Sequence, residues 1–170
     1  AEAYLEDKTK VMVASLSYGR NRLAGVSSNN YALFGGGNGH YSSTLARSEV
    51  DAYDSSLTKH VVEPLSVARY HLSAAFNGTY SIFAGGFGAY DSATDSSHYA
   101  TVDAYGQGLT KVTSVPSLTV ARDKIASARV GSKALFCGGN DANFKPSAVA
   151  EAFNANLTIS LMAPLSVARY

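Results

Sequence analysis

Three stretches of the chain hold the side chains best suited to ligand contact. Each follows a pair of glycines, and they cover residues 38–47, 87–100 and 140–147. Their amides, imidazoles, carboxylates and phenols are Asn38, His40, Tyr41, Tyr90, Asp91, Asp95, His98, Tyr99, Asn140 and Asp141. Rings of this kind stack on apolar ligand faces while amides and carboxylates form hydrogen bonds. We therefore predict contact with a carbohydrate or a protein, although ordinary surface turns have a similar composition.

The sequence lacks the usual patterns of a catalytic or metal site. The four histidines stand far apart, and no Gly-x-Ser-x-Gly motif occurs. Asp91 and Asp95 lack the glycine and terminal glutamate of a calcium loop. Gly35-Gly36-Gly37 precedes no predicted helix, which a phosphate-binding loop requires. Cys137 lies in an apolar run and behaves as a small buried hydrophobe. We predict no catalytic residue, no metal and no cofactor.

Composition narrows the range of partners. The 170 residues include 14 basic and 13 acidic ones, and their charges are scattered singly. Nucleic-acid binding needs a basic stripe that neutralises phosphates, so nucleic acid is not an expected partner. No apolar stretch reaches the roughly 20 residues that cross a membrane, and no basic-then-apolar leader is present. The sequence predicts a soluble chain without a membrane span and leaves its compartment open.

Three markers recur along the chain in a constant order. The arginines of Leu-Ser-Val-Ala-Arg and related pentapeptides are spaced by 49, 53 and 47 residues, at Arg20, Arg69, Arg122 and Arg169. A glycine pair begins 16 residues after each of the first three, and an acid-Ala-aromatic triplet begins at residues 2, 51, 103 and 151. A period of this length indicates a repeat architecture. We predict one domain with repeats over 1–47, 48–100 and 101–148 and a partial repeat over 149–170.

Each repeat has the sequence pattern of two β-hairpins. Short runs of small and apolar residues near 22–28, 71–77 and 124–130 lead through turns into the apolar strands that end at the glycines. A second hairpin joins the acid-Ala-aromatic triplet to a Leu-Thr segment. No segment of 11 or more residues has a persuasive helical period. The sequence predicts an all-β fold with four strands in every repeat.

These markers resemble kelch repeats over essentially the whole chain. The resemblance lies in the double glycine after an apolar strand, the aromatic residue about 17 residues on, and the arginine before the first strand. Kelch repeats usually carry a tryptophan beyond that aromatic residue, and this chain has none. The resemblance implies a β-propeller of four-stranded blades, with about three and a half blades here. It also implies that the loops after the glycines lie on the binding face.

Residues present in every repeat are expected to serve what all repeats share, which is contact with a neighbour. We predict that the four arginines form polar contacts between strands or blades with Glu2, Asp51, Asp103 and Glu151. The glycine pairs are expected where the backbone turns sharply or approaches a neighbour closely. They are Gly36, Gly37, Gly85, Gly86, Gly138 and Gly139.

The resemblance suggests a non-enzymatic scaffold that binds a protein or a glycan. Two alternatives remain open: part of a galactose oxidase-like or sugar-isomerising enzyme, or a structural module that assembles with itself. A propeller ring needs about 4 to 8 blades. We therefore expect either further chain or additional copies of this chain to complete the ring.

Overall fold

The computed structural model describes the backbone of residues 2–4 and all atoms of residues 7–39, 45–88 and 98–170. Strands are the regular structure within these ranges, which contain no helix. The prediction of an all-β fold is confirmed. The described part accordingly has no helix long and apolar enough to cross a membrane.

Three antiparallel sheets follow one another along the chain. The first has the order β4-β5-β7-β8, with β4 at Ala24–Ser27, β5 at Tyr31–Gly35, β7 at Val50–Asp54 and β8 at Lys59–Val62. The middle sheet consists of β9 (Ser73–Phe76), β10 (Ser81–Ala84) and β11 (Val102–Tyr105). The third has the order β13-β14-β16-β17, with β13 at Ala126–Val130, β14 at Lys133–Cys137, β16 at Ala150–Phe153 and β17 at Ile159–Leu161.

Three two-stranded ribbons complete the architecture. They join β1 (Glu2–Tyr4) to β2 (Lys10–Met12), β3 (Arg20–Asn21) to β6 (Asn38–Gly39), and β12 (Arg122–Asp123) to β15 (Asn140–Asp141). The middle sheet has no such ribbon within the described ranges. A single bridge between Tyr70 and Phe87 lies at the position that corresponds to the β3–β6 and β12–β15 ribbons. Each ribbon or bridge of this kind ties the segment before an inner strand to the segment after a glycine pair.

The prediction of four strands in every repeat is wrong for the middle sheet, whose fourth strand would come from the predicted repeat 101–148. Its fourth strand is reduced to one bridge between Tyr105 and Lys111. Beside the first sheet, Leu65 lies six positions after Lys59. Beside the middle sheet, the corresponding Leu118 lies seven positions after Lys111. Both leucines donate their N–H to equivalent carbonyls, those of Ser48 and Ala100. The extra residue must therefore bulge out of the ladder.

The innermost strands of the three sheets lie side by side, with β9 between β4 and β13. The Ser127 hydroxyl joins two of them, because its oxygen lies 2.8 Å from the Ser73 hydroxyl and 2.7 Å from the Ala74 carbonyl oxygen. Small side chains on these strands allow the close approach. Two apolar clusters fill the spaces between successive sheets, one around Leu33 and Phe83 and the other around Ile82 and Phe136.

Each glycine pair contacts the backbone of the segment that precedes the next inner strand. Gly85 has a φ of +66°, and a Cβ there would lie 2.5 Å from the Arg122 carbonyl oxygen. The N–H of Gly86 donates to that same oxygen at 2.8 Å. Glycine is required because the backbone is left-handed and a neighbouring backbone occupies the space of a side chain. The Gly36-Gly37 and Gly138-Gly139 pairs make the equivalent contacts with Arg69 and Arg169.

Candidate functional site

A row of three left-handed residues marks the end at which the inner strands begin. Arg22, His71 and Lys124 have φ values of 54°, 53° and 51°. The His71 N–H donates to the Arg22 carbonyl at 3.0 Å, and the Lys124 N–H donates to the His71 carbonyl at 2.9 Å. Side chains other than glycine rarely adopt this conformation, and such positions often cluster at functional sites. The backbone thus presents one side chain from each repeat at the same end of the molecule.

A pocket of about 170 Å³ opens beside this row and draws residues from all three repeats. We call it the Asp123 pocket. Its lining residues are Arg22, Tyr70, His71, Phe87, Asp123, Lys124, Asn140 and Phe144.

A buried carboxylate lies at the centre of the Asp123 pocket. Asp123 is 4% exposed; its Oδ2 lies 3.3 Å from Nδ1 of His71, and its Oδ1 lies 3.4 Å from Nε2 of His98. Both His98 nitrogens, the Asp123 Oδ1 and the Asn140 Oδ1 are buried and have no hydrogen-bond partner among the described residues. Buried polar atoms are nearly always hydrogen-bonded, so these atoms have the capacity for a further hydrogen bond, such as one to a ligand.

His71 is held in its neutral form at neutral pH. Burial lowers the pKa of its imidazole, the Asp123 carboxylate partly opposes that effect, and the cations of Arg22 and Lys124 lower the pKa further. A neutral imidazole offers one donor and one acceptor nitrogen. His71 is therefore able to share a hydrogen bond with a ligand as well as with Asp123.

Aromatic rings form one wall of the Asp123 pocket. The ring centre of Phe87 lies 5.6 Å from that of Tyr70 and 4.9 Å from that of His98. Phe144 continues the wall at 4.8 Å from His98, and 62% of its surface is exposed. An exposed ring next to buried hydrogen-bonding groups is a surface on which the apolar face of a ligand can stack.

The structure brings some of the predicted loop residues to this pocket and not others. Asn140 lines it, and His98 contacts Asp123 from behind. Asn38 is the residue of the first repeat that corresponds to Asn140. It lies opposite Asn21 in the β3–β6 strand pair and is buried. Tyr99 packs over Gly88 instead. The remaining candidates His40, Tyr41, Tyr90, Asp91 and Asp95 lie outside the described residues.

The Asp141 carboxylate forms hydrogen bonds within its own turn. Its Oδ1 accepts the N–H groups of Asn143 and Lys145 at 2.8 and 3.0 Å. The Lys145 N–H is the main reason that the pKa of this carboxyl lies below its usual value. Asp54 and Asn154 organise turns in the same way. Asp141 therefore closes a turn beside the pocket, and its Oδ1 is committed to that turn.

Sequence reasoning missed the most central residues, Asp123 and His71. The signal that could have found them lies directly after the repeated arginine. The next two positions read Asn-Arg, Tyr-His and Asp-Lys in the three repeats, whereas the arginine itself does not vary. Differences between repeats on a shared scaffold are where binding specificity is usually placed.

The repeated arginines form buried ion pairs away from the pocket. Arg20 lies 2.9 Å from Asp51 and Arg69 lies 2.8 Å from Asp103, while Arg122 pairs with Glu151. A serine or threonine N–H also donates to each carboxylate, from Ser17, Ser66 and Thr119 respectively. The side chain of Glu2 lies outside the described residues. Each pair joins the segment before an inner strand to the third strand of the same sheet.

The comparisons with known proteins identify a similar fold and no family. No family model matches the chain, and no curated protein matches it. The chain is similar to the solved structure of YjhT, with a TM-score of 0.70 and 17% sequence identity over 95% of this chain. The match covers 50% of the YjhT chain, so the present chain spans about half of that length. At this identity the likeness concerns the fold alone. Within the described ranges no three His, Cys, Asp or Glu side chains are grouped to hold a metal ion.

Proposed function

We propose that the chain is part of a kelch-like β-propeller scaffold that binds a ligand without transforming it. Three successive sheets whose inner strands lie side by side support the propeller arrangement. The ion pair and glycine pair in each repeat support the kelch resemblance, because they connect equivalent segments each time. In this proposal the ligand lies at the end of the molecule where the inner strands begin.

The ligand that the Asp123 pocket fits best is a carbohydrate. The observation that carries this choice is the presence of two buried acceptors, Asp123 Oδ1 and Asn140 Oδ1, which accept no hydrogen bond from the described residues and lie beside the Phe87 and Phe144 rings. Sugar hydroxyls donate to such acceptors, and sugar ring faces stack on aromatic side chains. A volume of about 170 Å³ is below the roughly 300–1,000 Å³ of pockets that hold drug-sized ligands. The pocket therefore accepts a single sugar ring, as at the end of a glycan.

A saturation-transfer NMR screen of monosaccharides and short oligosaccharides tests the proposal. We expect a sugar signal with the wild type and binding weakened about 10-fold or more in Asp123→Asn, since hydrogen bonds to charged groups contribute about 1.5–3 kcal/mol. Phe144→Ala should weaken the same sugar, while Val61→Ala, an exposed change on β8, should leave it unaffected. Absence of any sugar signal, or full binding by both pocket variants, would contradict the carbohydrate proposal.

A second candidate function is a sugar-isomerising enzyme. The observation that favours it is the contact of one buried carboxylate, Asp123, with two imidazoles, those of His71 and His98. Carboxylates and imidazoles in such contact can act as proton acceptor and donor. Time-resolved ¹H NMR of the sugars that bind separates the two functions. Faster interconversion of isomers with the wild type than with Asp123→Asn indicates an enzyme, and an unchanged spectrum indicates a binding protein.

The contact between Arg169 and Gly139 supports the proposal that equivalent blades pack side by side in a ring. The Arg169 carbonyl accepts the Gly139 N–H at 2.9 Å, as the Arg122 carbonyl accepts that of Gly86. Light scattering coupled to size exclusion gives the solution mass. A discrete multiple of 17.8 kDa supports completion by other copies, and a single mass of 17.8 kDa contradicts it.

A further inference from the structure

The middle sheet has an unpaired outer edge at Val102. The Val112 N–H donates to the Ala104 carbonyl at 2.9 Å, so Ala104 directs its backbone groups away from β10. Strand geometry places the backbone of Val102, two residues earlier, on the same side. No hydrogen bond joins the outward N–H and carbonyl of Val102 to any described residue. Val102 is only 6% exposed, so an unpaired backbone there is costly.

The neighbouring sheets satisfy the equivalent position. Val50 pairs with Val62 across β7 and β8 in the first sheet. In the third sheet the Ala150 carbonyl accepts the Met162 N–H at 2.9 Å. The middle repeat differs because its extra residue makes the chain bulge between Val112 and Leu118, where the ladder resumes onto Ala100. The free edge at Val102 is therefore a local feature of this repeat.

A groove of about 480 Å³ lies along this free edge. One wall is the backbone of residues 101–103, and the other is the bulged segment 111–117. Hydroxyl groups line it at Ser66, Thr101, Thr113, Ser114 and Ser117. Its size falls within the range of about 300–1,000 Å³ that is typical of ligand pockets. The groove is thus large enough, and polar enough, to admit an extended chain.

The charged side chains around the groove differ in whether they form ion pairs. The Lys111 ammonium is 3.1 Å from Asp103 Oδ1 and also donates to the Pro64 carbonyl, while the other Asp103 oxygen pairs with Arg69. Two cations thus share the single carboxylate of Asp103, which leaves a net charge of +1 at this wall of the groove. Glu63 lines the groove, is exposed, and forms no ion pair with the described residues. A basic side chain on the ligand would therefore be favoured beside Glu63.

We propose that this groove binds an extended peptide with a basic residue, which adds a short strand to the edge of β11 at Val102. Peptide main chain supplies the donor and the acceptor that the Val102 backbone lacks, and strand addition to an exposed edge is a common mode of peptide recognition. Sugar hydroxyls also hydrogen-bond, but they do not match the N–H and carbonyl spacing of a strand. This site is separate from the Asp123 pocket and does not depend on the function proposed for that pocket.

A phage-displayed library of random dodecapeptides tests the site, with deletion of Ser117 as the main variant. The deletion restores the six-residue spacing of the first repeat, so the segment after Lys111 should close onto β11 and fill the groove. We expect selected peptides rich in Lys or Arg, at least 10-fold weaker binding by the deletion variant, and equal binding by Asp123→Asn. No selected peptide, or equal binding by the deletion variant, would overturn the proposal.

Two further measurements keep the proposal testable if the deletion variant folds poorly. Glu63→Lys changes an exposed side chain and should weaken the selected basic peptides at least 5-fold with an unchanged melting temperature. Amide hydrogen exchange should show that bound peptide slows exchange at Val102 while the equivalent Val50 is unaffected. Exchange at Val102 that stays unchanged on saturation with peptide would show that the groove holds only water, and the proposal would be wrong.

Discussion

Nη2 of Arg69 lies 2.8 Å from Oδ2 of Asp103, and both side chains are buried. Asp103 also accepts the Ser66 N–H at 3.1 Å and contacts the Lys111 ammonium at the same distance. This arrangement compensates the cost of removing both charges from water. It explains why the arginine recurs in each repeat as a structural residue.

Replacing Arg69 with alanine should destabilise the fold severely. Removal of Arg69 breaks a buried ion pair, which costs about 3–5 kcal/mol in other proteins, and leaves Asp103 with the Lys111 ammonium alone as its countercharge. Lys133→Ala is the control, because this basic residue on β14 is exposed and forms no ion pair with the described residues. We expect that variant to stay within about 0.5 kcal/mol of the wild type. Urea unfolding measures both, and an unchanged midpoint for Arg69→Ala would refute the structural role.

Acid should remove the stabilising contribution of Asp103. Burial by itself would raise the pKa of this carboxyl, but the Arg69 charge and the Ser66 N–H outweigh it and hold the pKa below the usual value. A lowered pKa in the folded state means that the contribution is complete above about pH 4 and is lost as the pH falls through the folded pKa. Urea unfolding from pH 7 to pH 2 should show this loss. Asp103→Asn should have lower stability at pH 7 and a flatter profile below pH 4.

His71 should titrate below the usual histidine value of about 6.5. Burial lowers its pKa in the folded state, so protonation favours the unfolded chain. The corresponding stability is present above pH 6.5 and declines as the pH falls toward the folded pKa. Two-dimensional NMR of the imidazole gives the pKa directly, and His71→Gln should lack this part of the pH dependence. A measured pKa above 6.5 would contradict the environment described for the Asp123 pocket.

Two glycines separate the effects of backbone strain and steric contact. Both Gly85 and Gly131 have positive φ, at +66° and +54°, but only Gly85 faces a neighbouring backbone. Gly131→Ala should cost about 1 kcal/mol through strain alone. Gly85→Ala adds overpacking against Arg122 and should cost at least about 2 kcal/mol. Thermal unfolding compares the two variants, and equal losses would mean that the contact with Arg122 can relax.

Much of the architecture could be predicted from repetition. The arginine, the glycine pair and the acid-Ala-aromatic triplet each appear at equivalent places, and the resulting hairpins follow from turn residues and strand periodicity. The missing fourth strand in the middle repeat could not be predicted with the same ease. One extra residue between Lys111 and Leu118 decides whether a ladder closes, and the repeat markers on either side remain unchanged.

The sequence by itself determined the all-β class and the positions of the recurring arginine, glycine-pair and acid-Ala-aromatic markers, because these depend on local residue patterns that recur at a nearly fixed spacing. Only the tertiary structure decided which side chains meet. Asp123, His71 and His98 belong to two different repeats and come together because the starts of the inner strands lie side by side. Contacts of this kind depend on packing between sheets, which no local pattern encodes.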